Sequence, residues 1–154
     1  YPTDGQAAFF KRGRVSDGYP CAPIAVTVAA LAKNPQDIPG RLCLGDFFRM
    51  HGLDSLHGQY YPDPDKDELG GFAEGFSGKR NFRSEFYSSI IADPKAAPND
   101  KAYALYRAVM CYAPSGMNDC GGADAPKSQR KTWFERLKRD YPQSPWAKKL
   151  RYYW

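Results

Sequence analysis

The sequence predicts an all-α domain of stacked helical hairpins, joined by long Gly- and Pro-rich connections. A helix–turn–helix pattern in residues 133–154 recurs 47 residues earlier, in residues 86–112. A looser third copy lies near the N-terminus, with helices over 25–33 and 41–51 around a proline turn. Three such units are typical of helical-repeat proteins, in which each hairpin buries its apolar face against its neighbours.

The repeat aligns residue by residue at a shift of 47. Apolar or aromatic residues pair at four positions and turn residues at two: Tyr87 with Phe134, Ile90 with Leu137, Tyr103 with Leu150, Tyr106 with Tyr153, Asp93 with Asp140, and Pro98 with Pro145. The apolar spacing predicts one buried helix face, and proline separates the helices of each pair. The last helix is predicted over 148–154. The alternative is an irregular all-α domain whose helices happen to be joined through proline.

The turn Tyr141-Pro142-x-Ser144-Pro145-x-Ala147 resembles the turn within tetratricopeptide-type repeats of bacterial outer-membrane assembly lipoproteins and related envelope proteins. Apolar positions of that family are matched before and after the turn by Trp133, Phe134, Leu137, Ala147 and Leu150. The resemblance covers roughly the last 70 residues. The units here are not spaced at the about 34 residues of a regular tetratricopeptide. The resemblance implies a tetratricopeptide-like, irregular fold that binds other proteins.

Length and composition favour one domain. The 154 residues suffice for one core, and the 15% aromatic content argues against disorder. We predict an extended N-terminal arm over 1–20, a first helical pair over 21–52, a long loop over 53–78 and C-terminal helical pairs over 79–154. The longest apolar run, 24–32, is too short to span a bilayer.

The four cysteines favour two disulfides. Cys111 and Cys120 flank a turn-rich octapeptide that can bring their sulfurs together, which leaves Cys21 and Cys43 for the second bridge. Four cysteines nevertheless allow three pairings, and a zinc site or free thiols are the alternatives. Zinc is disfavoured because no C-x2-C pair is present. Disulfides indicate a periplasmic or extracellular protein.

Positive charge is concentrated at the C-terminal end. Residues 126–154 carry nine Lys and Arg against two acidic residues, while the whole chain carries +5. This end is either a solvated helix face or a contact surface, for an acidic protein or for anionic lipid head groups. The candidate contact residues combine basic and aromatic side chains: Arg130, Arg139, Trp146, Arg151 and Trp154. Nucleic acid is not an expected partner, and membrane association is expected only indirectly.

Two other patterns offer alternative functions. The segment 63–74 places Asp63, Asp65, Asp67 and Glu74 at positions 1, 3, 5 and 12 of a calcium loop. Glu68 replaces the turn glycine of such a loop, which favours a plain acidic surface loop. His51 and His57 could serve acid–base chemistry in a small secreted hydrolase or nuclease. Known catalytic signatures are absent from the sequence.

These observations favour a non-catalytic protein-binding or scaffolding subunit of a periplasmic, cell-envelope complex. The expected partner is another envelope protein with an acidic surface. No cofactor is predicted, with calcium as the alternative. The hydrolase and the calcium-binding module are the competing functions.

Overall fold

The computed structural model describes residues 14–55 and 81–154. In chain order they form a β-hairpin and then six α-helices, with a short 3-10 turn, Leu53–Ser55, after the second helix. The elements are β1 (Arg14–Ser16), β2 (Tyr19–Cys21), α1 (Ile24–Lys33), α2 (Ile38–His51), α3 (Arg83–Ala92), α4 (Pro98–Met110), α5 (Lys127–Asp140) and α6 (Pro145–Lys149).

The helices form three stacked hairpins, α1–α2, α3–α4 and α5–α6, as the sequence predicts. The second helices contact one another, with α4 between α2 and α6. Helices α3 and α5, the first of their hairpins, both pack against α4, and α3 also contacts α2. Helix α4 is therefore the centre of the fold, and its residues 101–109 are all buried.

Local turn chemistry explains where the helices begin. Asp37 precedes α2, and its carboxylate accepts a hydrogen bond from the Gly40 amide at 2.8 Å. Ser144 caps α6 in the same way, with its hydroxyl 3.1 Å from the Ala147 amide. Pro98 begins α4 at a position where the missing amide hydrogen costs nothing. The proline turns therefore mark the helix boundaries that the repeat predicts.

The core is unusually aromatic, and it includes the N-terminal hairpin. The Tyr19 ring of β2 stacks on Tyr103 of α4, with centroids 4.5 Å apart and planes within 6°. Trp146 of α6 packs against the same pair, 5.0 Å from the Tyr103 ring. Tyr87 and Ile90 of α3 are fully buried on the other side of α4. Contacts between elements distant in sequence therefore unite the three hairpins.

The β-hairpin turns at Asp17 and Gly18, which have φ angles of +48° and +82°. Two successive residues with positive φ are typical of the type I′ turn that joins twisted strands. Ser16 pairs with Tyr19 and Arg14 with Cys21 in the antiparallel register. Part of the predicted N-terminal arm, residues 14–20, is thus an ordered hairpin packed on α4 and α6.

Both disulfides form with the expected pairing. Cys21–Cys43 joins β2 to α2, with Cα atoms 5.5 Å apart. Cys111–Cys120 closes the loop after α4, with Cα atoms 5.3 Å apart. All four cysteines are therefore used, which excludes free thiols and a zinc–thiolate site in this structure.

The prediction of a helix over 148–154 is wrong. Helix α6 ends at Lys149, and Leu150 has extended backbone angles of −69° and 124°. The reason is packing against other helices: Leu150 is buried in the core, and the Lys138 ammonium of α5 donates to the Leu150 carbonyl oxygen at 2.6 Å. Tyr153 then lies against Phe134 of α5, with ring centroids 5.5 Å apart. Phe134 and Tyr153 are partly buried, as the predicted apolar stripe requires.

Candidate partner-binding grooves

Two grooves open on the side of the molecule formed by the first helices of the hairpins. The first groove, which we call groove A, lies between α1 and α3 and has a volume of about 600 Å³. Arg41 and Leu44 of α2 lie at its base, between the two flanking helices. The other lining residues are Val28, Leu31, Ala32, Pro35, Gln36, Asn81, Glu85, Phe86 and Ser89.

Helix α1 gives groove A an apolar wall. Its sequence is apolar almost throughout, yet Thr27 is its only fully buried residue. Val26 and Val28 are 56% and 52% exposed, although helices that are apolar on all sides are normally covered. Val28 also lines groove A, so part of this exposed apolar surface lies in the groove.

The second groove, groove B, lies between α3 and α5 and has a volume of about 520 Å³. Ala108 of α4 and the disulfide-bonded Cys111 line its base. Trp133 and Arg136 of α5 line one side, and Ile91 of α3 the other. The Arg136 guanidinium donates to the Ile91 carbonyl oxygen at 3.4 Å, which links the two walls.

Helix α3 is the ridge that the two grooves share. Glu85 lines both grooves, Ser89 lines groove A and Ser88 lines groove B, and all three are exposed. Each groove therefore combines apolar side chains with a similar number of polar ones. We call the surface of α1, α3 and α5 that contains both grooves the groove face.

A buried polar network holds the opposite layer of helices together. The Tyr103 hydroxyl lies 2.7 and 2.8 Å from the two carboxylate oxygens of Asp46 and accepts a hydrogen bond from Arg107 Nε at 2.9 Å. Arg107 also forms an ion pair with Asp17 of the β-hairpin turn. Burial raises the pKa of Asp46 despite these partners, and burial likewise raises the pKa of Tyr103. The network therefore links α2, α4 and the β-hairpin through buried hydrogen bonds and ion pairs.

The predicted C-terminal contact residues do not form one surface. Trp146 is only 2% exposed, because its ring packs against Tyr19 and Tyr103 and its indole nitrogen binds the Asp17 carbonyl oxygen. The hypothesis that Trp146 presents its ring to a partner is therefore wrong. Arg130 is also buried, with its guanidinium 4.2 Å from the Tyr112 ring centroid.

The remaining three candidates lie nearer the surface. Arg139 is exposed and pairs with the neighbouring Asp140 at 2.7 Å. Arg151 is exposed, and Trp154 is partly buried beside Tyr152, with centroids 5.8 Å apart. Their role in partner binding stays a prediction.

The two competing sites fall largely outside the described residues. The calcium candidates Asp63, Asp65, Asp67 and Glu74 lie outside them, as does His57. His51 is exposed at the end of α2, with its ring 4.9 Å from that of Phe47. Within residues 14–55 and 81–154, no cluster of three metal-binding side chains is found. Within the same residues, no helix is long and apolar enough to cross a membrane.

Comparisons with protein-family models, curated proteins and solved structures found no match to this chain.

Sequence analysis missed the groove residues Arg41 and Glu85. One available signal was α1, whose sequence is too uniformly apolar for a helix with a solvent-facing side. The position of Arg41 beneath α1 and α3 depends on packing between hairpins. Helical periodicity alone does not reveal that packing.

Proposed function

We propose that this protein is a non-catalytic protein-binding module of a periplasmic, cell-envelope complex, and that its groove face is the binding surface. The observation that carries this proposal is the pair of grooves on either side of α3, each lined by both apolar and polar side chains. They lie on a scaffold whose central helix is buried and which two disulfides cross-link, one between β2 and α2 and one across the loop after α4.

The shape of the groove face suits an extended or helical segment of a partner. Peptide segments commonly bind by placing a few apolar side chains into grooves between helices. Groove A offers Val28, Leu31 and Phe86, and groove B offers Ile91 and Trp133. A segment that crosses the α3 ridge therefore places side chains in both grooves.

Charge supports an acidic partner. The chain as a whole carries +5, whereas within the grooves the charges of Arg41 and Arg136 are offset by Glu85, which lines both. A net positive charge accelerates encounter with an acidic surface. The disulfides fit the oxidising environment of the periplasm.

Site-specific photo-crosslinking in the native host tests the binding surface. One variant carries the photoreactive residue at Glu85, on the shared ridge, and a second carries it at Arg151, in the predicted C-terminal contact set. A third carries it at Lys148, an exposed residue of α6 in the other helix layer. We expect one defined protein to crosslink from Glu85 and not from Lys148.

The three positions separate the possible outcomes. Crosslinks from Arg151 alone would indicate that the C-terminal residues bind the partner, and would contradict the role of the groove face. Absence of a defined adduct from every position, while the protein remains folded in the host, would contradict the protein-binding function itself.

A further inference from the structure

Arg41 differs from the buried arginines Arg83 and Arg107 in its electrostatic environment. Its residue is only 6% exposed, yet among the described residues no carboxylate lies within salt-bridge distance of its guanidinium. The guanidinium donates to the Ser89 hydroxyl at 2.6 Å and to the Gln36 carbonyl oxygen at 3.0 Å. Both acceptors are neutral, and the Nε–H is buried without an acceptor.

Arg83 and Arg107, unlike Arg41, have carboxylate partners. Arg83 binds both carboxylate oxygens of Asp54, at 2.8 and 2.7 Å. Arg107 is paired with Asp17 and lies 3.7 Å from Asp46. A buried charge is normally paired, because leaving water costs several kcal/mol per ion. Arg130 is also buried without a carboxylate partner among the described residues, but it lines neither groove, whereas Arg41 lines groove A.

The pKa directions agree with this difference. Burial lowers the pKa of Arg41, and the carboxylates of Asp93 and Asp37 offset the change only in part. Burial also acts to lower the pKa of Arg83, but its hydrogen bonds and charge interactions with Asp54 and Tyr87 together outweigh burial, and the pKa is raised. Arg41 remains charged at neutral pH, because guanidinium groups in proteins do not deprotonate.

We propose that Arg41 binds a carboxylate of the partner protein, next to a large apolar side chain that occupies groove A. The inference rests on the protein-binding function proposed above and names the chemistry of its ligand. A guanidinium has five N–H donors, of which Arg41 uses two within the protein. Planar carboxylates match this donor geometry and supply the missing negative charge.

The apolar part of the ligand follows from the lining of the groove. Val28, Leu31, Leu44 and Phe86 surround the arginine, so an isolated anion would leave this surface exposed to water. A carboxylate joined to an aliphatic group satisfies both features. The free C-terminus of a chain ending in Leu, or an Asp or Glu beside a Leu, presents this combination.

The first test is an NMR titration with N-acetyl-leucine, which carries a carboxylate and an isobutyl group. We expect saturable shifts of the Arg41 Nε–H and the Ser89 amide, and at least tenfold weaker binding of N-acetyl-leucinamide and of acetate. Equal binding of the amide, or no shift at 50 mM N-acetyl-leucine, would overturn the inference. Octanoate binding tenfold more tightly than N-acetyl-leucine would also overturn it, in favour of a lipid ligand.

The second test measures stability and separates a binding role from a structural one. An arginine without a carboxylate partner adds little to the folded state, so Arg41→Met should keep or raise the melting temperature while abolishing N-acetyl-leucine binding. The matched control Arg83→Met breaks a buried ion pair and should lower the melting temperature by roughly ten degrees. A comparable loss for Arg41→Met would assign Arg41 a structural role.

Failure of the carboxylate inference and failure of the protein-binding function are distinguishable. Crosslinking from Glu85 does not require Arg41, because Glu85 lies on the ridge that both grooves share. A positive crosslink together with a negative N-acetyl-leucine titration would therefore refute only the assignment of the ligand.

Discussion

The indole nitrogen of Trp146 donates a hydrogen bond to the main-chain oxygen of Asp17 at 2.6 Å, joining two residues 129 positions apart. The Asp17 carboxylate also pairs with Arg107 of α4 and with Lys149 of α6. The turn of the β-hairpin is thus attached to the central and last helices at once. This contact fixes the N-terminal end of the described chain against its C-terminal end.

Removing the charge of Asp17 should therefore destabilise the whole domain. We expect Asp17→Asn to lower the free energy of unfolding by about 2 kcal/mol, because Arg107 is buried and loses an ionic partner. Asparagine tolerates the positive φ of this position, so the backbone need not change. Urea unfolding measures the effect, and Asp124→Asn, at an exposed acidic residue, is the control. Equal stabilities of the two variants would refute the role of Asp17.

The same residue should make stability depend on acidic pH. Burial alone would raise the pKa of Asp17, but its hydrogen bonds and charge interactions with Lys149 and Arg107 together outweigh burial, and the pKa is lowered. A carboxyl whose folded pKa is depressed stabilises the folded state above its unfolded value of about 3.9, and this contribution is lost as the pH falls through the folded pKa. The stability difference between wild type and Asp17→Asn should therefore shrink from pH 5 to pH 2. A difference that stays constant over this range would contradict the assignment.

The Tyr103 hydroxyl should matter more than that of Tyr87. Tyr103→Phe removes a hydroxyl that contacts both Asp46 and Arg107, so we expect a loss of about 2–3 kcal/mol. Tyr87 is equally buried, but its hydroxyl lies 3.5 Å from the Arg83 guanidinium, so Tyr87→Phe should cost less than about 1 kcal/mol. Chemical denaturation of the two variants checks the order. The reverse order would show that the network around Asp46 is not the stronger one.

Two glycines with similar backbone angles should respond differently to alanine. Gly121 and Gly116 have φ angles of +74° and +84°, so Ala is strained at both by roughly 1 kcal/mol. At Gly121 a Cβ atom would lie 2.5 Å from Phe82 Cδ1, whereas nothing lies within 4 Å at Gly116. We expect Gly121→Ala to cost about 1–3 kcal/mol more than Gly116→Ala, measured by thermal unfolding. Similar losses would place Phe82 away from the Gly121 loop.

The hairpin architecture was predictable because its signals are local. Pro98 and Pro145 each occupy the first position of a helix, where proline is favoured. Ile90 and Leu137 are buried, as their spacing along an amphipathic helix predicts. The pairing of Cys111 with Cys120 likewise follows from a short, turn-rich loop. In each case the neighbouring residues determine the outcome.

The features that sequence analysis missed depend on contacts between distant elements. The Asp17-Gly18 dipeptide is a strong local signal for a β-hairpin, but the flanking strands have only three residues each. In the sequence, Trp146 has the features of an exposed contact residue, but in the structure the β-hairpin covers it. The groove position of Arg41 requires knowing how α1 and α3 pack around α2.

The most direct test of the central claim is the affinity of the crosslinked partner for ridge and control variants. Glu85→Trp places a bulky ring at the ridge between the grooves, and Lys148→Trp places the same ring on α6. Calorimetry with the purified partner should show at least tenfold weaker binding for Glu85→Trp and an unchanged affinity for Lys148→Trp. An unchanged affinity for Glu85→Trp would contradict the conclusion that the groove face binds the partner.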